Sequence, residues 1–137
     1  MDLSKIVSIN GKKGLYKIIS HGKNNIIVES LEDRKRFPTF SNDGVSTLEN
    51  ITVYTHDDVT ELKKLFQNIF LKQEKEPVCY KDMTDIQLRE FFKEILPNYD
   101  EEKVFISNIK KVFQWYNILL ENDLISIEEE NRETDDE

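Results

Sequence analysis

One cysteine, Cys79, stands in the 137 residues, so no disulfide can form within the chain. That agrees with a reducing compartment. No apolar run approaches the roughly 20 residues needed to cross a bilayer. The N-terminal Met1-Asp2-Leu3-Ser4-Lys5 is not a basic stretch followed by an apolar one. A membrane protein is therefore not expected, and a cytoplasmic one is. Motifs of chemistry are also missing. Gly11-Lys12-Lys13-Gly14 has the glycines and lysine of a phosphate-binding loop but neither its spacing nor its place between a strand and a long helix, so it is a turn. His21 and His56 are far apart in sequence. Asp57 and Asp58 beside His56 would need a further ligand to hold a metal, and Asp58 is better placed as a helix cap. Cys79 has no neighbouring histidine or second cysteine to activate it. Glu101 and Glu102 are adjacent and point to different sides of a helix, so they form no acid/base pair. No catalytic, cofactor or metal residue is assigned, and an enzyme is not expected.

What is present suits a soluble globular chain. The hydrophobic fraction is 38%, and eight Phe, five Tyr and one Trp supply large core groups. The net charge of -8 is unevenly distributed: +2 over residues 1–56, -1 over 57–76, -3 over 77–125 and -6 over 126–137. An acidic chain is repelled by nucleic acid, yet a locally basic face can still bind it.

The clearest local signal is Gly14 to Leu31. Two runs rich in β-branched and aromatic residues, Leu15–Ile19 and Ile26–Leu31, flank His21-Gly22-Lys23-Asn24-Asn25, which predicts a β-hairpin. Residues 3–8 fit a short helix or an edge strand. Pro38 confines Phe37–Phe40 to a short or edge strand. Ser41-Asn42-Asp43-Gly44 is a loop, Val45–Leu48 a brief bridge, and Asn50–Thr55 alternates as a half-buried strand does. Several short strands joined by tight turns predict a small SH3-like β-barrel or bent antiparallel sheet. Asp58-Val59-Thr60-Glu61 has the form of a capping box, followed by Leu62, Leu65, Phe66, Ile69 and Phe70 on one helical face, which is expected to close an end of the sheet.

The second part is helical. Thr84-Asp85-Ile86-Gln87 is another capping box, Leu88, Phe91, Phe92, Ile95 and Leu96 form the stripe, and Pro97 stops the helix. Asp100-Glu101-Glu102 opens the next helix, where the macrodipole favours carboxylates. This helix runs to about Glu121, burying Phe105, Ile109, Val112, Phe113, Tyr116, Leu119 and Leu120. Val104, Ile106, Trp115 and Ile118 lie outside that stripe, so the helix is expected to be buried on two sides. The fold class is thus α+β, with a barrel-like domain and closing helix over 1–72, a linker over 73–80, a helical hairpin over 81–126 and a disordered acidic tail over 127–137.

The segments MDLSKIVSINGKKGLYKIIS, IIVESLEDRKRFPTF, VSTLENITVYT and ILPNYDEEKVFISNIKKVFQWYNILLEND resemble a family of small uncharacterised bacterial proteins. Its members pair an N-terminal domain of unknown function with a small helical C-terminal one. The resemblance covers nearly all of residues 1–125 and implies the two-part division and a bacterial cytoplasmic setting. It implies no activity.

Two surfaces are candidates for recognition. Trp115, with Ile118 and Val104 near its side of the helix, suits a protein interface, because aromatic residues bury large area at small entropic cost. Lys12, Lys13, Lys17, Lys23, Arg34, Lys35 and Arg36, with Tyr16, Phe37 and Phe40 nearby in sequence, could bind RNA or single-stranded DNA by charge and stacking. Glu29, Glu32, Asp33 and Asp43 interleave with these cations, and the net charge of this half is only +2, which favours a solvated turn cluster. The expected function is a non-enzymatic binding or adaptor protein with a protein partner or a second copy of itself, and the alternative is nucleic-acid binding through the basic rim.

Overall fold

The computed structural model describes residues 1–40 and 43–126. The expected acidic tail, 127–137, lies outside the described residues. The chain divides into two compact units, one of residues 2–51 and one that begins at Thr52 and also takes Met1.

The first unit is an antiparallel sheet of β1 (Ile6–Ile9), β2 (Tyr16–His21), β3 (Asn25–Ser30), β4 (Arg36–Phe40) and β5 (Val45–Thr47), in the order β4-β3-β2-β1-β5. The predicted hairpin is β2–β3, closed by Gly22 N–H donating to the Asn25 carbonyl at 2.8 Å. A side chain at residue 22 would need the Asn25 amide to move aside. β4 takes an edge, as Pro38 demands. β1 is neither a helix nor an edge strand: it lies between β2 and β5, and Ile6, Val7 and Ile9 are all buried. Strand alternation puts Val7, Ile9, Tyr16, Ile18, Ile26, Val28, Phe37 and Val45 in one cluster.

The expected closed barrel does not form, because β4 and β5 are not paired with each other. The sheet is nevertheless coiled. Residues 41–44 join its two edges, and from Phe40 to Val45 the chain reaches at most about 18 Å, whereas four strand spacings of a flat sheet span about 19 Å. The strand ends are also offset, since Phe40 pairs with Asn25 beside the β2–β3 turn while Val45 pairs with Ile9 near the opposite end. Only a twisted, curled sheet brings those ends within reach.

The second unit holds β6 (Thr52–Tyr54), β7 (Val59–Glu61), α1 (Leu62–Lys72), α2 (Asp85–Ile95) and α3 (Ile106–Glu121). The expected cap at Asp58 is overturned. Val59–Glu61 is a strand paired with Thr52–Tyr54, Thr55 Oγ1 accepts the Asp58 N–H at 2.9 Å, and α1 begins only at Leu62. Two β-branched residues beside a strand outweigh the cap signal. α1 packs on β7, α2 and α3, so it belongs to the helical unit and the division falls before it rather than at residue 72. The expected linker is likewise part of this unit. Asn117 on α3 donates its amide N–H to the Val78 carbonyl at 2.9 Å and accepts the Val78 N–H at 2.8 Å.

α2 starts with the predicted box: Thr84 Oγ1 accepts from Gln87 N–H, and Gln87 Oε1 accepts from Thr84 N–H. α3 begins at Ile106 instead of at the acidic triplet. Asp100 is spent on a turn, its carboxylate accepting the Glu102 N–H and its carbonyl the Lys103 and Val104 N–H groups. Asn108 Oδ1 then satisfies the Phe105 N–H at the helix start. α3 is buried around most of its circumference, by α1, α2 and the 3-10 turn Tyr80–Asp82 within its unit. Phe92 stands edge-on to Tyr99 at 4.9 Å and to Phe113 at 6.1 Å, which ties the α2–α3 turn to the core.

Two stability measurements follow from these contacts. Asn117→Ala leaves both polar groups of buried Val78 unpaired and should cost about 2 kcal/mol in a denaturant melt. Thr84→Ala should cost about 1 kcal/mol in the same melt through loss of the helix cap.

Candidate functional site

The expected protein-interface residues are in the core. Trp115, Ile118 and Val104 are 7%, 6% and 4% exposed, so none presents a face to a partner. For Trp115 and Ile118, a place outside the main stripe reflected the wide burial of α3. The Val104 carbonyl also accepts from Arg89 Nη1 at 3.3 Å, which holds the turn before the helix.

The sheet separates the seven cations. In an up-and-down order, the β1–β2 and β3–β4 turns share one end, which carries Lys12, Lys13, Arg34 and Lys35. Lys23 lies in the β2–β3 turn at the other end. Lys17, Glu29 and Arg36 are direct cross-strand neighbours on one face, and Arg36 Nη2 stands 3.9 Å from Glu29 Oε2. These two cations therefore face a carboxylate of the same sheet. Lys12 Nζ sits 4.7 Å above the Phe37 ring, which stands edge-on to Tyr16, so neither ring offers an open stacking platform. Burial and the charges of Glu32 and Asp33 raise the pKa of Tyr16, which places carboxylates at the same end. The Asp33 carboxyl is held below its usual range by the Lys35 N–H it accepts. The shared end thus has mixed charge.

His21 and His56 belong to different units, and Cys79 is exposed. Among the described residues no three histidine, cysteine or acidic side chains gather as a metal site, and no helix is long and apolar enough to cross a membrane.

Two features escaped the sequence reading. The first is an exposed apolar pair on the β6–β7 hairpin: Tyr54 and Val59 are direct cross-strand partners, 51% and 42% exposed. Lys103 Nζ lies 5.2 Å over the Tyr54 ring, and Phe105, two residues further on, is 60% exposed. The hairpin is tied to the α2–α3 turn by Asp100 N–H donating to the Tyr54 carbonyl and His56 N–H to the Asn98 carbonyl, both at 2.9 Å. The alternation Thr52-Val53-Tyr54 already signalled an outward tyrosine. The second feature is a cavity on the curled face of the first unit, which needed the strand order to be seen.

These features define a two-unit α+β protein, an open antiparallel sheet followed by a hairpin-and-helix unit. Residues 3–48 match the Domain of unknown function (DUF5606), and residues 51–119 match the Domain of unknown function (DUF6852). The chain belongs to this family of small bacterial proteins, and the gap between the two matches adjoins the structural boundary at Ile51. The solution NMR structure of a Bacteroides vulgatus protein, a Northeast Structural Genomics Consortium target, is 38% identical over 91% of this chain and 90% of that one, with a TM-score of 0.74. No curated protein matches the chain.

Tyr116 sets a pH dependence. Its hydroxyl donates to the Glu76 carbonyl at 2.9 Å. Burial, with the Glu76 charge behind it, pushes its pKa from 10.0 up to about 12. A raised tyrosine pKa means that the fold favours the protonated form. This stabilisation is complete below about pH 10 and is lost as pH rises through about 12. Tyr116→Phe should remove the steepest part of the alkaline loss of stability in that window, read by denaturant melts at stepped pH, and should remove the latest tyrosinate absorbance step.

Proposed function

We propose that the chain is a non-enzymatic binding protein that acts through contact with another protein. The observation that supports this is the exposed Tyr54–Val59 pair, with Lys103 over the tyrosine and Phe105 beyond it. A rigid aromatic side chain on a hairpin pinned to the helices loses little entropy on binding, and tyrosine is enriched among residues that carry interface energy. This surface takes the place of the Trp115 face, which is occupied by the fold itself. The strand order and coiling of the first unit support an SH3-like reading of that sheet.

Affinity recovery with the tagged full chain tests the proposal. A discrete protein partner should survive nuclease treatment and should be recovered about tenfold less with Tyr54→Ser, a loss of about 1.4 kcal/mol of binding. The melting behaviour of that variant should stay close to the parent. Equal recovery by both chains would remove the hairpin from the interface.

Nucleic-acid binding is the second reading, supported by the two basic turns that share one end of the sheet. It requires an affinity for single-stranded oligonucleotide that falls with salt. The combined Lys12→Ala, Lys13→Ala and Lys35→Ala variant should then flatten the logarithmic salt slope by about 2. An unchanged slope would end this reading.

A further inference from the structure

The cavity of the first unit takes no part in either surface above. It measures about 760 Å³, within the range of roughly 300–1,000 Å³ of small-molecule sites. Strands from both edges of the sheet line it, because the curl brings β4 and β5 around one concavity. Away from the β2–β3 turn its lining is mainly aliphatic, Val7, Ile18, Ile26 and Val45 beside Thr39 and Thr47, with Phe40 48% exposed.

The mouth has a different character. The β2–β3 turn supplies Lys23, His21 and the amides of Asn24 and Asn25. This turn is closed by the Gly22–Asn25 backbone hydrogen bond. Among the described residues no carboxylate lines the cavity. Asp43, near Phe40, already accepts the Phe40 N–H at 2.7 Å. Lys23 is exposed and forms no ion pair among the described residues.

A mainly aliphatic lining beneath one ammonium and the Asn24 and Asn25 amides complements a ligand with an apolar tail and a single negative charge. A phosphate would bring more charge than one lysine neutralises. We infer that the first unit binds a free, monomeric aliphatic carboxylate, its tail against Ile18, Ile26 and Val45 and its head at Lys23. Half-buried apolar side chains in the floor would be withdrawn from water by the tail, and the preformed turn would hold the head without a further ordering cost.

Titration of the ¹⁵N-labelled full chain with sodium hexanoate, octanoate and decanoate, and separately with 1-octanol, tests this by amide chemical shifts. Saturable shifts should centre on Ile18, Ile26, Phe40 and Val45, with affinity rising about fourfold per added methylene. Lys23→Glu, in an exposed turn where the fold tolerates it, should weaken octanoate about tenfold and octanol less than about twofold. Absence of saturation, or shifts centred outside the cavity, would overturn the site. An equal response of octanoate and octanol to Lys23→Glu would overturn the carboxylate assignment. Binding to anionic phospholipid vesicles without binding of monomeric octanoate would overturn the free-ligand assignment.

Discussion

The first unit depends on a limit of chain length. Residues 41–44 must carry the chain from one edge of a five-stranded sheet to the other, between strand ends that are also offset along the strand direction. A flat sheet would place those ends beyond the reach of the link. The right-handed twist common to β-strands supplies the required curl, and the curl turns one face into a concavity. Gly44 serves the same passage. Its backbone has a positive φ of 72°, its carbonyl accepts the Asn10 N–H, and a side chain there would strike Asn10.

The second unit is organised by burial of α3. The helix has too much apolar surface for one neighbour, and α1, α2 and the turn at Tyr80–Asp82 share it. The chain between α1 and α2 is held by side chains of α3 through backbone groups, Asn117 at Val78 and Tyr116 at Glu76. Buried backbone groups need partners, so these polar side chains let an irregular segment cross an apolar helix. The β6–β7 hairpin is stitched to the α2–α3 turn by backbone hydrogen bonds instead, which presents Tyr54 on a fixed support.

Charge is distributed so that few cations are free to act together. The cross-strand neighbours Lys17, Glu29 and Arg36 combine like a local ion ladder, and the turns at the shared end carry Glu32 and Asp33 among their cations. Exposed pairs of this kind contribute little stability, about 0–1 kcal/mol. Their effect is to reduce the field that a polyanion would meet. Lys23 stands apart because the topology sends its turn to the other end, beside an aliphatic floor.

Local patterns determined much of this protein. The Gly22 hairpin, the edge position of the Pro38 strand, the Thr84 box and the stop at Pro97 rest on nearest-neighbour sterics and hydrogen bonds, which a sequence displays directly. The apolar excess of α3 likewise announced burial on more than one side. Asp58 and Asp100 misled because an aspartate near an apolar run can serve a turn as well as cap a helix, Asp58 through its backbone N–H and Asp100 through its carboxylate, and distant pairing chooses between them. Whether α1 joined the sheet or the helices, whether Trp115 faced a partner or the core, and where the cavity lay were decided only by the tertiary structure. Each depends on which surfaces, remote in sequence, come to exclude water from one another, and a periodic stripe records that a residue is buried without recording against what.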